Sequence, residues 1–154
     1  MEEFAFRTKI AAGPGAVAAL KSLRAHRLFL VTEAPFSENG RAQKVIEAAG
    51  SREAEIFDAV TLEPTASLAA EVTARCAAFG PDLLIALGSS GAMDCAKAAL
   101  YFGGLDIPFV TISGTFGSGT QVTGLLELTH EHRTYTLKSP CHHTYHRIHP
   151  APVC

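Results

Sequence analysis

Two glycine-rich turns are the places where this chain could hold an anion. They are Gly88-Ser89-Ser90-Gly91 and Gly114-Thr115-Phe116-Gly117-Ser118-Gly119, each directly after a short apolar run. Glycine lets a backbone approach a ligand closely and take positive φ, and the free N–H groups of a helix N-terminus attract negative charge. The first turn leads straight into a helical pattern with Asp94 and Lys97, which suits a diphosphate. Those two residues are three apart on one helix face and equally suit an internal ion pair. Neither turn has the Gly-Lys-Ser/Thr of a phosphate-binding Walker loop or the G-x-G-x-x-G spacing, and tight strand-to-helix turns use the same residues with no ligand. Ser89, Ser90 and Ser118 also lack the G-x-S-x-G context of a nucleophile elbow.

Metal and thiol chemistry is the other candidate. Six of the seven histidines, His130, His132, His142, His143, His146 and His149, crowd the last part of the chain, with Cys141 and Cys154 nearby. Imidazole and thiolate suit Zn²⁺, and His142 and His146 would share a face of a helix. Pro140 and Pro150 bracket the segment, however, and nothing frames a helix between them, so no metal site is expected here. Cys76 and Cys95 lie in apolar helical patterns and read as buried reduced thiols. His26, at the end of the first helical stretch, reads as a surface residue.

The elements that must position these groups alternate. Phe4, Phe6 and Ile10 have the period of a strand, and Val17, Leu20 and Leu23 form a helical stripe over 16–24. Leu28–Val31 is an apolar run of the kind buried on both faces of a parallel sheet. A helix over 38–49, a short strand over 55–57 and a helix begun by Thr65 or Ser67 and ended by Gly80-Pro81 follow. Leu83–Leu87 is the most apolar strand, 92–102 a helix, and Phe109–Ile112 another strand. Residues 125–137 read as a returning hairpin, and the stretch from Cys141 has no clear period. The fold class expected is α/β: a Rossmann-like, mostly parallel sheet with helices on both faces, plus a terminal β-hairpin.

Composition bounds the function. The chain has 154 residues and a formal charge of −2, with Lys+Arg 13 against Asp+Glu 15. Nothing basic enough to neutralise a phosphate backbone is present, which disfavours nucleic acid. Apolar runs fall far short of the ~20 residues of a bilayer span, and the acidic Met1-Glu2-Glu3 start is unlike a secretory signal. The expectation is a cytoplasmic protein with one α/β domain over 1–140 and a divergent His-rich tail over 141–154.

Taken jointly, the segments resemble those of the iron-containing (group III) alcohol dehydrogenases. Leu83–Lys97, LLIALGSSGAMDCAK, looks like that family's LGGGSxxDxAK segment, and Ile112–Thr123, ISGTFGSGTQVT, is similar to its IPTTSGTGSEVT. Phe4–Gly15, FAFRTKIAAGPG, matches its F-x-TKI-x-x-G-x-G opening, and Leu28–Glu33, LFLVTE, its LVTD. Glu55–Val60, EIFDAV, and Leu125–His130, LLELTH, fall in order too, nearest the alcohol- and propanol-dehydrogenase branch.

The resemblance implies the dinucleotide-binding half of an NAD-dependent enzyme that interconverts alcohols and aldehydes. Glu33 would meet the adenosine ribose, and Glu63 would lie in the loop near the cofactor. Gly88, Ser89, Ser90 and Gly91, with Asp94 and Lys97, would form the pyrophosphate turn, and Thr115, Phe116 and Thr120 would run toward the nicotinamide. An acidic Glu33 repels a 2′-phosphate and so favours NAD over NADP. The family's second, helical domain carries an Asp and three His for Fe²⁺ or Zn²⁺. This chain is expected to lack it, to hold no catalytic or metal residue of its own, and to be inactive alone. The expected partners are a dinucleotide and a small alcohol or aldehyde, with association as a homodimer or with the helical domain. A catalytically inactive nucleotide-binding or interaction module is the alternative.

The departures from the family pattern are local. GGGS has become GSSG, and if Ser89 or Ser90 took positive φ it would cost on the order of 1 kcal/mol. Phe116 replaces a small polar residue, Gln121 a Glu. The family's hairpin Lys falls near Thr134, with Arg133 and Lys138 as stand-ins.

Overall fold

The computed structural model describes residues 9–114, 120 and 123–138, and the backbone of 144–149. Strand β1 (Lys9–Ala12) leads through a 3-10 helix (Ala16–Leu23) to β2 (Arg27–Thr32). Two helices, α1 (Ala34–Glu38) and α2 (Arg41–Ala49), precede β3 (Glu53–Phe57). Then come α3 (Ala66–Phe79), β4 (Leu83–Gly88), α4 (Ser90–Gly103) and β5 (Phe109–Ser113). The hairpin β6 (Leu125–His130) and β7 (Arg133–Lys138) is followed by β8 (Thr144–His149).

All six strands of the main sheet pair in parallel, in the order β1-β8-β5-β4-β2-β3. Alternation along the central strands sends side chains to two separate cores. Phe29, Val31, Leu84 and Ala86 meet α3 and α4 on one face. Leu28, Leu30, Ile85, Leu87, Val110 and Ile112 meet the 3-10 helix and α2 on the other. Covered on both sides, β4 has no exposed position. This is why its sequence is continuously apolar.

The order of the strands creates a crevice. From β2 the chain turns outward to β3 by way of α2, whereas from β4 it runs the opposite way to β5 by way of α4. The connections leave the tips of β2 and β4 toward opposite faces, which makes this pair the topological switch point of the sheet.

Several expected boundaries shift. The stretch over 38–49 is broken: Gly40 takes φ 77 ahead of α2, and Asn39 accepts the Arg41 N–H through its side chain. The first helical stripe winds as a 3-10 helix, and β3 begins at Glu53 rather than Glu55. The largest difference lies in the segment without a clear period. Its residues 144–149 form β8, paired on one side with β1 and on the other with β5. The hairpin is therefore not terminal. Backbone ladders on both sides hold a strand whatever its polarity pattern, so periodicity misses β8.

Candidate functional site

The tips of β4 and β5 are neighbours. Gly88 pairs with Ser113, and the Gly114 N–H donates to the Gly88 carbonyl at 2.9 Å. The β2 tip joins them, its Thr32 hydroxyl donating to the Leu87 carbonyl at 2.7 Å. Gly88 takes φ +134, which few side chains tolerate. Ser89 follows at φ −83 as the N-cap of α4, its Oγ accepting the Gly91 N–H at 3.2 Å. Ser90 is already helical. The change from GGGS to GSSG therefore brings no backbone strain.

The N-terminus of α4 already faces a carboxylate. Glu33, immediately after β2 and only 8% exposed, accepts the Ser89 N–H at 3.0 Å and also the Ser89 hydroxyl. Its Oε2 lies so close to Gly88 that a Cβ there would collide with it. The Phe36 ring stands in the same way against Gly114, and the Thr61 carbonyl against Gly91. Gly88, Gly91 and Gly114 thus each admit a group of the protein itself. Chemically, the Glu33 carboxylate stands where the N–H and O–H donors of Ser89 would receive a phosphate oxygen.

Asp94 and Lys97, one turn further along α4, are not joined by a direct hydrogen bond. Lys97 is 4% exposed and donates through Nζ to the Leu125 carbonyl at 2.8 Å and to the Thr120 carbonyl. Burial lowers its pKa to about 8, with Asp94 opposing the shift. It ties α4 to the start of the hairpin.

Asp94 faces a cavity of about 410 Å³ bounded by the 62–64 loop and the hairpin. Leu62, Glu63, Pro64, Glu127, Thr129, His132 and Thr134 complete its lining. Burial raises the Asp94 pKa to about 7, against the pull of Lys97 and of the Glu127 backbone N–H. Its Oδ1 is buried without a hydrogen-bond partner. The loop and hairpin are joined where the Thr129 N–H donates to the Pro64 carbonyl at 2.9 Å.

The expected site residues therefore separate into two groups. Glu33, Gly88, Ser89, Ser90 and Gly91 gather at the α4 N-terminus, while Glu63 and Asp94 open on the hairpin cavity. Thr120 meets Lys97 through its carbonyl, and Thr115 and Phe116 lie outside the described residues. Burial pushes the thiol of Cys76 to about 11 and that of Cys95 to about 12, so both stay protonated and unreactive. His26 is exposed. Among the described residues no three His, Cys, Asp or Glu converge as metal ligands.

A family model, iron-containing alcohol dehydrogenase, matches residues 7–147. The chain belongs to the iron-containing alcohol dehydrogenase family. Among curated relatives it is 27% identical over 128 residues to the 1-propanol dehydrogenase PduQ of Citrobacter freundii, covering 80% of this chain and 35% of that protein. It is 29% identical over 139 residues to the sulfoacetaldehyde reductase of Bilophila wadsworthia, covering 76% and 36%. A solved sulfoacetaldehyde reductase from Bifidobacterium kashiwanohense, in complex with NAD+, shares the fold at a TM-score of 0.89 and 20% identity, over 97% of this chain and 46% of that one. The chain thus spans roughly a third of the length of the curated relatives it matches. The main sheet and hairpin of this iron-containing alcohol dehydrogenase segment are accordingly the expected α/β architecture.

Periodicity and motif spacing point to neither Phe36 nor Thr61, because their parts in the site depend on loops folding back over the strand tips. Glu127 and Thr129 were open to detection. They alternate with the buried Leu126 and Leu128 along β6, which places them on the opposite, cavity-lining face.

Proposed function

We propose that this chain is the NAD-binding part of an oxidoreductase that interconverts small alcohols and aldehydes. The observation that carries the proposal is the anion already held by Ser89 at the N-terminus of α4, beside the switch point of a parallel sheet. With NAD bound, Glu33 would accept hydrogen bonds from the adenosine ribose hydroxyls, and the Ser89 N–H and O–H with the backbone of Ser90 and Gly91 would hold the diphosphate. Lys97 holds the carbonyls of Thr120 and Leu125. Asp94 and Glu63 open instead on the hairpin cavity, where a third carboxylate, Glu127, makes a diphosphate unwelcome. NAD supplies the hydride acceptor, and in the family a metal on the helical domain polarises the substrate oxygen. Neither catalytic nor metal-ligating residues are assigned to this chain, so the chain by itself is proposed to bind cofactor without turnover.

NADH fluorescence tests this. Saturable enhancement or quenching is expected, with NADPH at least roughly tenfold weaker because Glu33 opposes a 2′-phosphate. No binding at millimolar NADH by a chain folded by circular dichroism would overturn the assignment. The second reading, an interaction module that no longer takes cofactor, is favoured by the Glu33 contact to Ser89 and by Phe36 against Gly114. Tighter NADH binding by Glu33→Ala would mark that contact as the obstacle.

A further inference from the structure

Glu33 is turned away from the helix it begins. It is the N-cap of α1, yet no N–H of that helix bonds its side chain. The carboxylate crosses instead from the tip of β2 to the tip of β4 and takes its hydrogen bonds from Ser89, through the N–H at 3.0 Å and through the hydroxyl. Ser89 in turn caps α4, its Oγ accepting the Gly91 N–H at 3.2 Å. The chain departs from the family's pattern at both ends of this contact, with LVTE in place of LVTD and GSSG in place of GGGS. A glycine at position 89 has no hydroxyl to donate, so the second bond exists only in the departed sequence.

We propose that Glu33 and Ser89 form a latch across the crevice, one that yields only to a ligand offering an anion and a vicinal diol together. The proposal rests on the nucleotide reading above, in which Glu33 accepts from ribose hydroxyls and Ser89 donates to the diphosphate. Without ligand, the acceptor and the donors satisfy each other. A ribose alone would draw the carboxylate off and leave the Ser89 N–H and O–H without it. A diphosphate alone would take those donors and leave Glu33, 8% exposed, as an unpaired carboxylate beside Gly88. Each orphaned group opposes binding by about the worth of a charged hydrogen bond. A ligand with both parts exchanges every bond for an equivalent one. The class selected is thus the intact nucleoside diphosphate or dinucleotide, and Ser89 is a positioning residue that acts through Glu33.

The test is titration of the whole chain with ADP, adenosine and inorganic pyrophosphate, by calorimetry for ADP and by ligand-detected NMR for the two fragments. Ser89→Ala releases Glu33 from the hydroxyl and should tighten adenosine roughly tenfold, the scale of one charged hydrogen bond. ADP should change by less than about threefold, because the lost hydroxyl serves the carboxylate before binding and the diphosphate after it. Ser89→Thr keeps the hydroxyl and should return adenosine to the wild-type value. Loss of the α4 cap only loosens the site, so a purely structural Ser89 would make adenosine bind more weakly in Ser89→Ala. Glu33→Ala should tighten pyrophosphate roughly tenfold or more and weaken adenosine. Adenosine no tighter on Ser89→Ala than on the wild type overturns the latch, and with ADP still bound it leaves the nucleotide reading standing. ADP bound by none of these proteins at about 10 mM, far weaker than a built site, overturns both.

Discussion

Glycine at position 88 is dictated by the residue across the crevice. Its φ of +134 and the nearby Glu33 carboxylate both exclude a Cβ. Gly88→Ala should therefore cost about 2–4 kcal/mol in chemical denaturation. The double variant with Glu33→Ala should recover the part due to the collision and leave the part due to the backbone. Asp94 gives a prediction in pH. Its folded pKa of about 7 lies above the ordinary 3.8. The folded state thus holds this proton more tightly than the unfolded chain. The stability it contributes is complete below the unfolded value and is lost as pH rises through about 7. The advantage of Asp94→Asn over the wild type, already begun at pH 5, should grow by roughly 2–3 kcal/mol between pH 5 and pH 8 in urea unfolding. Lys97, shifted down to about 8, exerts most of its own effect above that interval. A wild type as stable as the variant at both values would show that Asp94 is not held protonated.

Among the elements, α3 and the hairpin are held by contacts that can be removed singly. Thr65 caps α3, its hydroxyl oxygen accepting the Leu68 N–H at 3.1 Å. Thr65→Ala should lower stability by about 1 kcal/mol, readable as a shift in urea midpoint at constant slope. The hairpin is joined to the helices through Leu126 and Leu128, which pack with Ala69 and Ala98. Leu126→Ala should cost about 2–4 kcal/mol and loosen the cavity wall, seen as faster amide exchange in β6 and β7. The cap, the helix ended at Gly80 and the buried strand β4 were legible because each is a local signal: a side-chain acceptor, a residue suited to positive φ, an apolar run. The break at Asn39-Gly40 also has a local mark, an Asn-Gly pair suited to a turn, although the expected helix ran across it. Strand β8 was not legible, since its place between β1 and β5 depends on partners more than 30 residues away along the chain.

At the scale of the whole molecule, two cores share one sheet. The strands β2, β4 and β5 are covered on both faces, while the hairpin forms a separate two-stranded sheet against α4. Amides of β4 should exchange slowest and those of the hairpin faster, by hydrogen exchange under native conditions. Uniform protection would mean that the hairpin and main sheet open as one unit. The family's ordered segments, the alternation of strands with helices and the positions of the two glycine turns are all determined by sequence, because each rests on residues close together along the chain. Which groups face one another at the strand tips was decided by tertiary structure alone. Glu33 reaches Ser89, Phe36 covers Gly114, and Asp94 is directed to the hairpin cavity. Each of these contacts joins residues far apart in sequence, so only the parallel order of the sheet and its crossovers bring them within bonding distance.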